Sequence, residues 1–155
     1  MEGIKELHKL AINAAQNNFF KFKRCAPVIF AHNEKGNLVI PLEFKDDIDK
    51  ESALNAAKVA MLKNKVTCYS IINEAWMLKL DTKGDDLSYD YNKVRPSKHK
   101  DRVEVLIIVT TTKDKKIGTI FRIVRENDTI SLQLEIESQE GMEGAFTELL
   151  DSMWE

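Results

Sequence analysis

The stretch that decides the fold runs from Val103 to Glu137: VEVLIIVTTT (103–112), KDKK (113–116), IGTIFRIVR (117–125), END (126–128) and TISLQLEIE (129–137). The first run is almost continuously apolar, the pattern of a central strand covered on both faces. The polar tracts that follow it have hairpin length and are too short for a crossover helix, so the three strands must pair antiparallel. The last run alternates. Ile130, Leu132, Leu134 and Ile136 are expected to point inward, with Ser131, Gln133, Glu135 and Glu137 facing out.

Working outward from this block, residues 66–80 form another long β-rich segment. Before it, a helix is expected at about 50–64, with Asp49 as N-cap and Leu54, Ala57 and Met61 as the buried stripe beside Ala53 and Ala60. Earlier still, PVIFAH (27–32) and LVIPLEF (38–44) flank NEKGN, where Gly36 supplies the positive φ of a tight hairpin loop. Residues 3–19 place Ile4, Leu7, Ala11, Ala14, Ala15 and Phe19 at helical steps, with Glu6, Lys9, Asn13 and Asn17 opposite. Met142, Ala145, Phe146, Leu149 and Met153 mark a final helix.

The expected order is α-β-β-α-β-β-β-β-α, a single α+β domain over residues 1–155 with a mainly antiparallel central sheet and helices packed on it. That order is loosely similar to the profilin-like and roadblock-like group, a likeness that does not fix function. With 23 Lys+Arg against 25 Asp+Glu the net charge is −2, which argues against a protein that coats nucleic acid. Apolar residues at 43% and charged ones at 31% fit a globular chain. No apolar run approaches the ~18 residues of a membrane span, and MEGIKELHKL lacks the apolar core of a signal peptide. Cys25 and Cys68 share no CxxC spacing, which fits a reducing, cytoplasmic setting.

Three places depart from a plain fold. Glu74 falls in register with Val66, Cys68, Ser70, Ile72, Trp76, Leu78 and Leu80, so its carboxylate must be paired, protonated or turned out at a bulge near Asn73. The segment 81–102 is a 22-residue polar stretch, longer than most loops. Its first half is acidic, while Lys93, Arg95, Lys98, Lys100 and Arg102 make the second half basic, with Tyr89 and Tyr91 beside them. From Leu134 onward there are seven acids and no Lys or Arg, and Trp154 offers an aromatic anchor for the core or an interface.

The chemistry inventory is sparse. No P-loop, GxGxxG, HExxH, GxSxG or EF-hand pattern occurs, so no cofactor is expected. His8, His32 and His99 lack metal-ligand spacing. His99 alone has catalytic company, in Ser97, Asp101 and Glu104, but members of a triad usually come from separate elements.

Glu74-Ala75-Trp76-Met77 and the segment Arg95–Val105, RPSKHKDRVEV, resemble a group of uncharacterised bacterial proteins. That group pairs an EAW-type strand with an RPSxHxDRxEV segment ahead of an apolar strand. The resemblance implies no activity. Lys100 stands where a proline is expected, which makes this loop more basic. Both quoted segments fall on residues already singled out, and a latch joins them: Arg95 or Arg102 reaching back to Glu74, with Trp76 alongside.

Three functions follow as expectations. The first is a non-catalytic interaction or regulatory module that binds a protein partner or forms a homodimer. The second is a small-ligand site or hydrolase built from Glu74, Ser97, His99 and Asp101 with Arg95. The third is weak nucleic-acid binding through residues 93–102, against which net charge and the acidic C-terminus weigh.

Overall fold

In the computed structural model, residues 3–42, 47–78, 102–140 and Leu150 are described. The chain runs α1 (Gly3–Phe22), β1 (Val28–Asn33), β2 (Gly36–Pro41), α2 (Asp47–Lys63), β3 (Cys68–Leu78), β4 (Arg102–Thr112), β5 (Lys116–Glu126) and β6 (Thr129–Glu140). The six strands form one sheet in the order β2-β1-β3-β4-β5-β6, with every neighbour antiparallel. The fold class read from residues 103–137 is therefore the one observed. The expected helix over 142–153 lies outside the described residues, save that Leu150 is helical and fully buried.

The pleat sorts the core into two layers. On one face, Ala11, Ala15 and Phe19 of α1 pack on Ile72, Leu106, Ile108, Phe121 and Ile123, while Ile4 and Leu7 meet Cys68 and Ile117. On the other, Leu54, Ala57 and Met61 of α2 pack with Ile29, Ala31, Tyr69, Ile71, Val109 and Leu150. Each helix thus buries its apolar stripe on a different side of the sheet.

Turn chemistry explains the boundaries. Asn127 and Asp128 both take positive φ (43° and 67°), as the two central residues of a type I′ hairpin turn must. Gly36 has φ +136°, a conformation that L side chains rarely adopt, so the first hairpin turns on its glycine. Helix α1 ends with Lys23 left-handed (φ 61°), its N–H donating to Phe19 O at 2.6 Å.

Helix α2 closes with a Schellman pair: Val66 N–H donates to Met61 O (3.0 Å) and Lys65 N–H, at φ 55°, to Leu62 O (3.2 Å). Three expectations change. Val66 is not the first residue of the strand face carrying Cys68; the cap folds it back into the α2 core. Asp49 is not the N-cap, because α2 begins at Asp47 and Asp49 lies in its first turn.

The third change concerns β6. The β5–β6 register shifts on either side of Ile120, so Phe121 pairs with Leu134 but Ile120 with Ile136. The bulge carries Ile136 to the α2 side, where Glu135 also meets Arg122 at 4.0 Å, and leaves Leu134 half exposed on the α1 side. The simple alternation of 130–137 is thus broken at Glu135.

Candidate functional site

The one carboxylate in the apolar register of β3 has a definite partner. Pairing of β3 with β4 runs without a shift from Cys68 to Leu78, so no bulge turns Glu74 outward. Its side chain lies on the α1 face, half-buried, and Oε1 accepts the Cys25 backbone N–H at 2.6 Å. Cys25 follows the left-handed turn that ends α1, where backbone donors have run out of helical partners. Glu74 therefore ties the α1–β1 connection to the centre of the sheet.

The electrostatics of this corner are mixed. Burial pushes the Glu74 carboxyl above the ordinary glutamate range, the Cys25 N–H draws it back, Glu104 raises it, and Arg125 and Arg24 lower it. Glu104 and Arg125 form a bidentate pair across β4 and β5, with both N–H···O distances 2.9 Å. Arg125 also lies over the Phe19 ring, 6.0 Å from its centroid. Removing the acceptor should cost more than removing its charge. We expect Glu74→Ala to lose about 2 kcal/mol, the range of a hydrogen bond to a charged group, and Glu74→Gln to keep most of it. Urea unfolding of the two variants checks this; equal losses would mean that the Cys25 bond contributes nothing.

The other residues expected to join Glu74 fall elsewhere. Arg95, Ser97, His99 and Asp101 lie outside the described residues, and Arg102 contributes its backbone to the start of β4. The latch to Arg95 or Arg102 and the Ser97–His99–Asp101 group are thus beyond the described structure. Trp76, two residues along the same face, keeps 41% of its surface exposed. Among the described residues, no group of three or more His, Cys, Asp or Glu side chains could hold a metal ion.

The remaining polar chemistry on the α1 face is interior. His8 is 3% exposed; its Nδ1 is hydrogen-bonded to Thr110 Oγ1 (2.6 Å) and its Nε2 to Thr119 Oγ1 (2.7 Å). Thr110 is shared with Ser70 at 2.8 Å. Burial holds the imidazole down to about 4, so it is neutral at pH 7. The two thiols are buried and free, pushed up by burial to about 11 for Cys25 and about 12 for Cys68, far from the range of a nucleophilic cysteine.

A different surface stands out. Helix α1 sits over β3 and β4, reaches β5 through Phe121 and Ile123 and β1 through Val28 and Phe30, and leaves the α1 side of β2 without a helix among the described residues. The result is a trough with two hollows. One, about 350 Å³, lies between Phe22 and Arg24 on one side and Val28, Phe30, Val39 and Pro41 on the other. The second, about 140 Å³, lies between Glu6 and Leu10 of α1 and His32 and Asn37 of the hairpin. Phe22 is 60% exposed, Val39 59% and Leu10 41%.

This trough was not anticipated. Its signal was the run Phe19–Arg24, FFKFKR, in which three aromatic residues within four positions cannot all face one helix stripe. Phe19 takes the core and Phe22 the trough wall, while Phe20 is exposed. No helix among the described residues is long and apolar enough to cross a membrane. Compared with known proteins, the chain matches no family model, no curated protein and no solved structure.

Proposed function

We propose that this protein is a non-catalytic interaction module that receives a protein partner in the trough beside α1. The observation that supports it is the exposure of Phe22 and Val39 at one hollow beside α1 and of Leu10 at the other, where water contact with large apolar side chains is costly unless a partner removes it. The corner around Glu74 supports a structural part for that carboxylate, since its nearest bond goes to a backbone amide of the trough wall. Pro41, which has no N–H, and the uncharged run Gly36–Pro41 leave β2 a short edge beside the trough.

The test is a selection of random 16-residue displayed peptides on the isotope-labelled protein, followed by NMR mapping. Binders should shift resonances of β1, β2 and the outer side of α1, and Val39→Asp should abolish their binding while far-UV circular dichroism is unchanged. A selection without binders, or binders that map elsewhere and tolerate Val39→Asp, overturns the reading.

A further inference from the structure

We infer that a second copy of this chain pairs antiparallel with the outer edge of β6, joining two sheets into one across a two-fold axis at Leu132. Among the described residues β6 has a strand neighbour on one side only, at the end of the sheet away from the trough. A strand edge presents N–H and C=O groups to any strand that comes alongside, and proteins usually blunt it with charge, proline or a bulge. β6 is blunted over its second half alone. Each register shift against β5 places its extra residue in β6 beyond Leu134, and Glu135, Glu137 and Glu140 lie there too. The first half, Thr129–Leu134 (TISLQL), follows β5 without a shift and holds no charge, proline or glycine.

The hairpin turn decides which groups face out. A type I′ turn at Asn127 and Asp128 is flanked by a hydrogen-bonded pair, Glu126 with Thr129, and along antiparallel strands such pairs alternate with non-bonded ones. Thr129, Ser131 and Gln133 therefore direct their main-chain groups to β5, and Ile130, Leu132 and Leu134 direct theirs away from the sheet. A two-fold at Leu132 sets that residue opposite its own copy and Ile130 opposite Leu134 of the partner subunit. All three outward residues then exchange paired N–H···O bonds. An axis at Ser131 would bring the turn residue Asp128 opposite Leu134, and one at Gln133 would draw in Ile136 from beyond the bulge.

The side chains agree with this register. Ile130 and Leu132 are half-buried against the α1 layer, whereas Leu134, on the same face, is 51% exposed. Pairing gives Leu134 an apolar cross-strand neighbour in the partner's Ile130 and carries the row Ile130, Leu132, Leu134 across the axis. On the other face Ser131 meets Gln133, and Glu135 comes level with Thr129. An in-register parallel copy would instead stack Glu135 and Glu137 on themselves. Charge thus selects the antiparallel arrangement. The paired stretch is only about 20 Å long, below the size of a standard interface, so the dimer is weak, with a dissociation constant on the order of 0.1 mM.

NMR translational diffusion of the whole chain, followed up to about 1 mM, should slow toward that of a dimer. Leu134→Lys puts a charge at the half-exposed edge position and should weaken association by about tenfold or more, with far-UV circular dichroism unchanged. A trapping pair reads the register without weakening the contact. Copies of residue 132 face each other with Cα atoms about 5.5 Å apart, so Leu132→Cys should form a disulfide dimer in oxidised glutathione. Copies of residue 131 are offset along the strands beyond disulfide reach, so Ser131→Cys should stay monomeric on a denaturing gel. The native Cys25 and Cys68 are buried.

A chain that stays monomeric up to about 1 mM overturns the inference and leaves this edge to a strand of another protein. Leu132→Cys that traps no more dimer than Ser131→Cys overturns it as well. Growth beyond a dimer would mean that β6 pairs with β2 of the next copy in an open chain, and a dimer that Val39→Asp dissociates while Leu134→Lys does not would move the contact to the trough; either result overturns it.

Discussion

Acidification from pH 7 to pH 4 should cost the fold about 3 kcal/mol through His8 alone. The imidazole ionises near its ordinary 6.5 when unfolded and at about 4 when folded. Between those values the unfolded chain binds the extra proton, so stability is complete above pH 6.5 and declines as pH falls toward 4. Each pKa unit corresponds to about 1.4 kcal/mol, which sets the size. The cause is burial: the ring is enclosed between α1 and the sheet, where a cation has lost its water. His8→Gln removes the titration, so its urea midpoints at pH 7, 5.5 and 4 should fall far less steeply than those of the parent, even if its stability at pH 7 is lower. Parallel slopes would show that acid acts elsewhere. Glu74 has the opposite sign. Its raised carboxyl pKa means that the folded state holds the proton more tightly, so it gains stability as pH falls and partly offsets His8.

The fold was legible where local pattern and tertiary demand coincide. Continuous apolar character marked β4 as covered on both sides, and Val105, Leu106, Ile108 and Val109 are indeed buried by both layers. Short turns made the antiparallel order of β4, β5 and β6 unavoidable. What escaped were events with no period. The Schellman cap that withdraws Val66 uses a lysine at φ 55°, where the sequence signal would be glycine. The β6 bulge leaves Glu135 and Ile136 looking like any other alternation.

The candidate site was half legible, for a similar reason. A carboxylate between Ile72 and Trp76 on one strand face is an anomaly that a period of two exposes. Its partner, a backbone amide at Cys25, carries no side-chain signature and lies 49 residues away. The trough was illegible because it arises from which strands α1 covers, and an amphipathic stripe states only that a helix is covered, not what it leaves bare.

The adjacent residues Phe19 and Phe20 turn that distinction into a large expected difference. Phe19 is fully buried, set among Ala15, Cys25, Leu106 and Phe121, with the Phe20 ring edge-on at 6.1 Å. Phe20 itself is 56% exposed. Phe19→Ala should cost about 3–5 kcal/mol, combining lost transfer energy with the cavity left in a layer held by the sheet beneath it. Phe20→Ala should cost less than about 1 kcal/mol, since most of its surface already meets water. The consequence reaches the trough. Phe19 O accepts the Lys23 N–H that ends α1, and the next residues carry Arg24 into the hollow and Cys25 onto Glu74. With Phe19 truncated, the last turn of α1 loses the anchor that places Phe22. Urea unfolding of the two alanine variants measures the first effect, and thiol modification of buried Cys25 under native conditions measures the second. Cys25 should react faster in Phe19→Ala and at the parental rate in Phe20→Ala; equal rates would mean that the turn is held by the Glu74 bond without help from the ring.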